Sequence, residues 1–252
     1  MRIFKPRADK FYLLRLYLFF VLYILAAVAA VWLTWNFIAV PAPRVKAWAA
    51  SVSHSYKLPA VIIDAGHGGV DSGATSASGV EEKHINLQIA RKLKEIFTLA
   101  GHGVIMTRED DVSLQDPGVR RRKRSDLENR VDVADDHPGA LFVSIHMNAN
   151  ASRSAGGMQI YYGTRNEGSA ALAAAIRDLN RLTLHPANRY APRRGRNIYI
   201  MENISNPAVL VECGFLTNPG DLANLTDPHY QNKLAYVIFG GVCEYMASPA
   251  AG

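Results

Sequence analysis

Three residues that can bind a metal or move a proton stand at the ends of three apolar runs. His67 lies shortly after the run 61–63 in the segment VIIDAGHGG, and His146 ends the run LFVSIH. Glu212 directly follows the run AVLV. Each run has the length and β-branched content of a buried parallel strand. Because ligands bind outside the carboxyl ends of the strands in open α/β sheets, we expect these three side chains to converge.

A fourth candidate, Glu82, stands at the start of a helical pattern that follows the first run. Two histidines and one carboxylate form a donor set that holds zinc in hydrolases, and a second carboxylate then remains free for proton transfer. Manganese or iron could also occupy a site with these ligands. Taken singly, a histidine in a loop or at a strand end is more often structural, and Glu82 could simply complement the helix dipole.

Glu212 carries the most information of the four residues. A carboxylate inside so apolar a segment costs free energy to bury unless it is paired, protonated or directed at a metal. The alternative interpretation of Glu212 is a buried ion pair with an arginine. Taken together, the four residues have the constitution of a zinc hydrolase site.

The elements that must position these residues alternate between apolar strands and helical patterns. The pattern predicts strands over 61–63, 104–107, 141–145, 158–162, 197–201 and 208–211. It predicts helices over 83–100, 125–134, 167–183 and 227–246. This alternation indicates an α/β fold, namely a three-layer αβα sandwich around a mainly parallel sheet of roughly six strands.

The N-terminal part of the chain differs in character from this domain. Five basic residues and one acidic residue precede a segment that has no charge and is long enough to cross a bilayer. We therefore expect a cytoplasmic flank over 1–15, a transmembrane signal-anchor helix over 16–40, a linker over 41–59, the catalytic domain over 60–246 and a tail over 247–252. A cleaved signal peptide, with cleavage near Ala47-Trp48-Ala49, is the alternative. Both interpretations place the domain outside the cytoplasm, on the wall side of the membrane.

The formal net charge of the chain is +6, and the N-terminal flank accounts for +4 of it, five basic residues minus one acidic residue. The remaining +2 is not the basic footprint of a nucleic-acid-binding protein. The local basic run 120–124 has two interpretations, a solvated entrance to a charged helix or a contact with an anionic wall polymer. Cys213 and Cys243 are too few for a disulfide scaffold, and we expect buried free thiols; a disulfide between them, if they are close in the exported domain, is the alternative.

Several sequence blocks, in order, carry a resemblance to a known family. They read IDAGHGGVDSGA (63–74), EKHINLQIARKL (82–93), GVIMTRED (103–110), SIHMNA (144–149), GGMQIYY (156–162) and PAVLVECGFLTNPGD (207–221). Through these blocks, the region 61–245 resembles the zinc-dependent N-acetylmuramoyl-L-alanine amidases of the amidase-3 family. The short layout and the segment RRRKRSDLENRV (120–131) most resemble the sporulation amidases that act on spore cortex and serve germination.

The resemblance implies roles for the residues at matching positions. His67, Glu82 and His146 would bind Zn²⁺, and Glu212 would be the catalytic carboxylate that takes a proton from water and returns it to the leaving nitrogen. The substrate would be peptidoglycan, cut at the amide bond between N-acetylmuramic acid and L-alanine. In spore cortex, this cut would lead to muramic lactam.

Further hypotheses concern the surroundings of these residues. Asp64 and Asp71 are expected to orient ligand histidines, and Asn148 to hydrogen-bond substrate. The stretch 151–157 is too short for the inhibitory helix that some relatives carry over the site, so we expect an open site. An activating protein remains a candidate partner. The alternative functions are a wall-peptide carboxypeptidase on the same zinc site and a non-catalytic wall-binding protein.

Overall fold

The computed structural model describes residues 10–38 and 58–248, and the chain divides into the compact units Met1–Lys57 and Leu58–Gly252. In the first unit, helix α1 spans Lys10–Ile38. Within the described residues, no helix combines the length and the apolar character that crossing a membrane requires, so the transmembrane anchor predicted over 16–40 is not supported. The start of the predicted flank, most of the predicted linker and the end of the predicted tail lie outside the described residues.

A six-stranded sheet forms the centre of the second unit. Its strands are β1 (Val61–Ala65), β2 (Val104–Met106), β3 (Leu141–Asn148), β4 (Gln159–Tyr162), β5 (Arg193–Arg194) and β6 (Ala208–Phe215). In space the order is β2-β1-β3-β6-β4-β5, and the first four strands in that order are parallel. Strand β4 is antiparallel to β6, and β5 is parallel to β4. The prediction of a mainly parallel sheet with about six strands is confirmed.

Helices cover both faces of this sheet. They are α2 (Glu82–Leu99), α3 (Arg122–Asp135), α4 (Gly168–Thr183), α5 (Tyr199–Asn203), α6 (Pro219–Leu225) and α7 (Pro228–Ala247). Because side chains alternate along a strand, Ile63 packs into a core shared with α2, α4 and α7, whereas its neighbour Ile62 packs against α3 and α5. The three-layer αβα arrangement is therefore confirmed.

One predicted strand is wrong. The segment 197–201 contains the start of helix α5, and the edge strand of the sheet is instead the short β5. Asn197 turns the chain with a positive φ of 65°, and the buried Ile200, Met201 and Ile204 then recur at helical spacing against the sheet. Helix α6 was not predicted, although Asn218 caps it and Pro219 follows in the first turn.

Both cysteines are free thiols, as predicted. Cys213 is buried in strand β6, whereas Cys243 in helix α7 is only partly buried.

Candidate active site

The three predicted ligands meet at the carboxyl edge of the parallel strands. His67 follows β1, Glu82 is the first residue of α2, and His146 lies near the end of β3. One candidate ligand atom from each residue lies within 4.8 Å of the other two. The two imidazole rings pack edge to face, with their centroids 4.9 Å apart. The structure thus brings together the two histidines predicted at the ends of apolar runs and the carboxylate predicted at the start of the following helix.

A tight loop presents the His67 ring. The backbone of His67 is left-handed, with a φ of 60°, and Gly68 and Asp71 close the loop with backbone hydrogen bonds of 3.0 and 3.1 Å. His67 Nδ1 donates to the Asp71 carboxylate at 2.9 Å, while Nε2 lies 3.3 Å from Glu82 Oε1. Asp71 therefore has the position of an orienting residue, and its effect on metal affinity stays a prediction.

The Glu82 carboxylate is held from several sides. Its side chain is only 4% exposed, and it accepts backbone hydrogen bonds from Ala74 at 2.8 Å and Met147 at 3.0 Å. Burial raises the pKa of Glu82, but hydrogen bonds from His146 and His67 outweigh it and hold this pKa far below its usual range. The residue is therefore kept charged at the place where a cation would bind.

Glu212 lies beside the ligands because the strand register pairs it with His146. Its Oε2 atom is buried and has no hydrogen-bond partner, and no arginine or lysine among the described residues pairs with it. The alternative of a buried ion pair with an arginine is therefore wrong. Burial raises the pKa of Glu212 to about 7. A carboxyl group with a pKa near neutrality is suited to accept and return a proton.

The residues present fit a zinc ion. Imidazole nitrogen and carboxylate oxygen are both common zinc donors, and three protein ligands leave a fourth position for water or substrate, as catalytic zinc sites do. The orphaned oxygen of Glu212 stands next to this donor set. Buried polar atoms without partners are rare in folded proteins, which favours an additional ligand or water at this place.

Two glycines allow the close approach of the ligands. A Cβ atom at Gly66 would lie 2.2 Å from His146 Nε2, and a Cβ atom at Gly73 would lie 2.5 Å from the Glu82 carboxylate. Gly73 also has a positive φ of 66°, which side chains disfavour. The glycines of the first sequence block thus serve the packing of the ligands as well as the turn.

Gly66→Ala is expected to displace the His146 ring and to lower zinc affinity by about 100-fold or more. Loss of a residue that only orients a metal ligand already lowers metal affinity by up to about 100-fold, and here the proposed ligand itself would move. Competition with a chromogenic chelator measures the affinity. Gly103→Ala is the matched control, because the nearest atom to a Cβ there lies at an ordinary 3.6 Å. Equal zinc affinity of the two variants would contradict the proposed role of His146.

The hypothesis that Asp64 orients a ligand histidine is wrong. The Asp64 carboxylate accepts hydrogen bonds from Thr107 at 2.7 Å, from Ser144 at 2.6 Å and from Arg130, and it contacts no histidine by hydrogen bond. The Asn148 side chain donates a hydrogen bond to Gln159 at 3.0 Å. Its predicted hydrogen bond to substrate stays a prediction.

Two buried arginines that the sequence patterns did not indicate support the loop that carries His67. Arg108 donates to the backbone oxygens of Ala65 at 2.8 Å and Gly66 at 3.0 Å. Arg130 donates to the backbone oxygens of Ala65 at 3.0 Å and His67 at 2.9 Å. Both arginines lie in charged segments whose sequences predict exposure to solvent. The one local signal was for Arg130, because Asp126 precedes it by four residues, the spacing of an ion pair on one helix face.

Comparisons with known proteins agree with this site. The chain matches the family model described as N-acetylmuramoyl-L-alanine amidase over residues 61–244. It is 36% identical over 188 residues to the germination-specific N-acetylmuramoyl-L-alanine amidase of Bacillus subtilis strain 168. The aligned region covers 73% of this chain and 78% of that relative.

Solved structures give the same result. The CwlD amidase from Clostridioides difficile, solved in complex with the GerS lipoprotein, matches with a TM-score of 0.72 and 35% identity, over 75% of this chain and 98% of that chain. An N-acetylmuramoyl-L-alanine amidase from Clostridium difficile 630 matches with a TM-score of 0.68 and 30% identity, over 77% of this chain and all of that chain. The chain therefore belongs to the amidase-3 family of N-acetylmuramoyl-L-alanine amidases.

Proposed function

We propose that the chain hydrolyses the amide bond between N-acetylmuramic acid and L-alanine in peptidoglycan, with His67, Glu82 and His146 as zinc ligands and Glu212 as the general base. The observation that carries this proposal is the meeting of three zinc donors beside a carboxylate whose buried oxygen lacks a partner. A wall-binding protein without catalysis would need neither the donor set nor the unpaired carboxylate.

The roles of the protein side chains follow from their positions. A zinc ion held by the three ligands would supply Lewis-acid polarisation of a carbonyl group and of a water molecule. Glu212 takes the proton of the attacking water and delivers it to the leaving nitrogen, so that the C–N bond breaks to a lactyl carboxylate and a free L-alanine amine. Asp71 keeps the His67 ring in one orientation through its hydrogen bond to Nδ1.

We infer that the enzyme acts on spore cortex, outside the cytoplasm. The similarity to a germination-specific amidase supports the cortex role. The relative solved with a lipoprotein supports an accessory protein partner for this chain as well. Membrane attachment through the segment 16–40, and its alternative of cleavage and release, both stay predictions from the sequence.

Metal removal is expected to abolish peptide release from peptidoglycan, and added zinc is expected to restore it. The full-length chain, in detergent, is stripped with a chelator, divided, and incubated with purified peptidoglycan with and without zinc. Mass spectrometry of the soluble products gives the measurement. Intact stem peptides that begin with a free L-alanine amine are expected only from the zinc-loaded sample.

Other products would point to the other functions. Release of single C-terminal amino acids would instead indicate a carboxypeptidase. Binding to peptidoglycan without any released product, in the presence of zinc and of cortex-type substrate, would indicate a non-catalytic wall-binding protein.

A further inference from the structure

Two basic runs that are far apart in the sequence lead into helices that contact each other. The first run, 120–124, leads into helix α3, and the second, 193–196, leads into helix α5. The Arg124 guanidinium lies 3.9 Å from the centre of the ring of Tyr199, the first residue of α5. The basic side chains of both runs are exposed. Together they form the basic patch, which consists of Arg120, Arg121, Arg122, Lys123, Arg124, Arg193, Arg194 and Arg196.

The charges of the basic patch are largely uncompensated. Arg124 pairs with Glu128 at 2.7 Å. The other seven of its eight basic side chains form no ion pair with any residue in the described part of the chain. Like charges held close together repel one another and attract a polymer of opposite charge. An anionic partner is therefore the kind of ligand that this surface fits.

Helix α3 connects the basic patch with the candidate active site. Arg130, in the second half of this helix, donates to the backbone oxygen of His67 at 2.9 Å. At 1.5 Å rise per residue, Lys123 lies about 10 Å along the helix from that contact. The near end of the basic patch therefore lies only about 10 Å along helix α3 from the contact with the loop that carries His67.

We propose that the basic patch binds the carboxylates of the peptidoglycan stem peptides and holds the polymer against the catalytic site. This inference rests on the proposed function, because it takes peptidoglycan as the substrate. Stem peptides repeat along each glycan strand and carry free carboxylates, and the guanidinium group is suited to bind carboxylates in a bidentate manner. Phosphate-bearing wall polymers offer similar charge, but the link of the patch through helix α3 to the loop that carries His67 favours the substrate itself.

Sedimentation with insoluble peptidoglycan tests this inference. The full-length zinc-loaded chain carries Glu212→Gln throughout, so that the polymer is not consumed. The patch variant is Arg122→Gln/Lys123→Gln/Arg196→Gln. The control variant Lys92→Gln/Arg181→Gln/Lys233→Gln removes the same charge from the partly buried Lys92 on α2 and from exposed positions on α4 and α7.

The patch variant is expected to bind peptidoglycan about tenfold more weakly than the control variant at low ionic strength. This factor corresponds to the loss of three exposed ion pairs between the patch and the polymer. The difference is expected to vanish at high salt, which screens exposed charges. Removal of the phosphate polymers from peptidoglycan should leave the difference between the patch and control variants unchanged. Amidation of the peptidoglycan carboxylates with a carbodiimide should make both variants bind equally weakly.

Two results would overturn the inference. One is equal binding of the patch and control variants to untreated peptidoglycan. The other is a difference that survives amidation but disappears when the phosphate polymers are removed. If the wild-type chain binds peptidoglycan through its carboxylates but shows no amidase activity, the proposed function is refuted and this inference stands. If the wild-type chain is an amidase but its binding does not depend on the basic patch, this inference is refuted and the proposed function stands.

Discussion

Glu212→Gln is expected to lower kcat for amide hydrolysis by about 10²- to 10⁴-fold, the contribution typical of a general acid–base group. Glutamine has nearly the same size as glutamate but cannot take a proton from water at neutral pH. The wild-type carboxyl group is suited to this task because burial raises its pKa to about 7 and no hydrogen bond occupies its Oε2 atom. The rate of release of peptides with an L-alanine amine, followed by mass spectrometry, is the measurement.

Glu81→Gln is the matched control for this substitution. Glu81 precedes the proposed ligand Glu82 but lies at the surface, where it pairs with Lys83 and His84. We expect it to retain activity close to that of the wild type. Zinc content is measured for both variants, since Glu212→Gln should lose rate and keep the metal. Activity of Glu212→Gln within tenfold of the wild type would show that another group transfers the proton.

Arg130→Met is expected to destabilise the fold by about 3–5 kcal/mol, the usual cost of removing one partner of a buried ion pair. The Arg130 side chain is 2% exposed and pairs with the fully buried Asp64 carboxylate. Methionine would leave that charge without its partner and would free the backbone oxygen of His67. Urea denaturation followed by circular dichroism gives the free energy of unfolding. Tryptophan fluorescence would not serve, because the three tryptophans lie at 32, 35 and 48, before the domain.

The cost of Arg130→Met should depend on pH. In the wild type, burial raises the pKa of Asp64, but the Arg130 charge and hydrogen bonds hold it below its ordinary value of 3.8. This contribution to stability is present above about pH 4 and is lost only as the pH falls through the lowered pKa. In the variant, burial acts without the guanidinium and raises the Asp64 pKa, so the variant should lose stability as the pH rises above 4.

The difference in unfolding free energy between wild type and Arg130→Met should therefore be largest near pH 7 and shrink towards pH 4. Arg122→Met, an exposed position on the same helix, is the control and should change stability by less than about 1 kcal/mol. A pH-independent difference would mean that lost packing, and not the unpaired Asp64 charge, causes the destabilisation.

The donor set of the site could be predicted because it depends on short patterns. An apolar β-branched run followed by a polar residue marks the carboxyl end of a parallel strand, and this predicted His146 and Glu212 near one edge of the sheet. The two residues are neighbours in the sheet, although strand β6 continues beyond Glu212 to Phe215. The same local reasoning failed for the segment 197–201, where aromatic and β-branched residues resemble a strand. There, the positive φ of Asn197 and the packing of Ile200 against the sheet produce a helix instead.

Residue types and their order along the chain were sufficient to indicate an α/β fold with the donor set of a zinc hydrolase, because strand and helix periods and metal-donor chemistry are local properties. The amidase activity was indicated by the resemblance of several sequence blocks to a known family. The tertiary structure alone decided three features: the burial of Arg130 against Asp64, the unpaired oxygen of Glu212, and the joining of the two basic runs at Tyr199. The two partners of the first contact are 66 residues apart. Such contacts depend on which helix face packs against which loop, and no short sequence pattern specifies that choice.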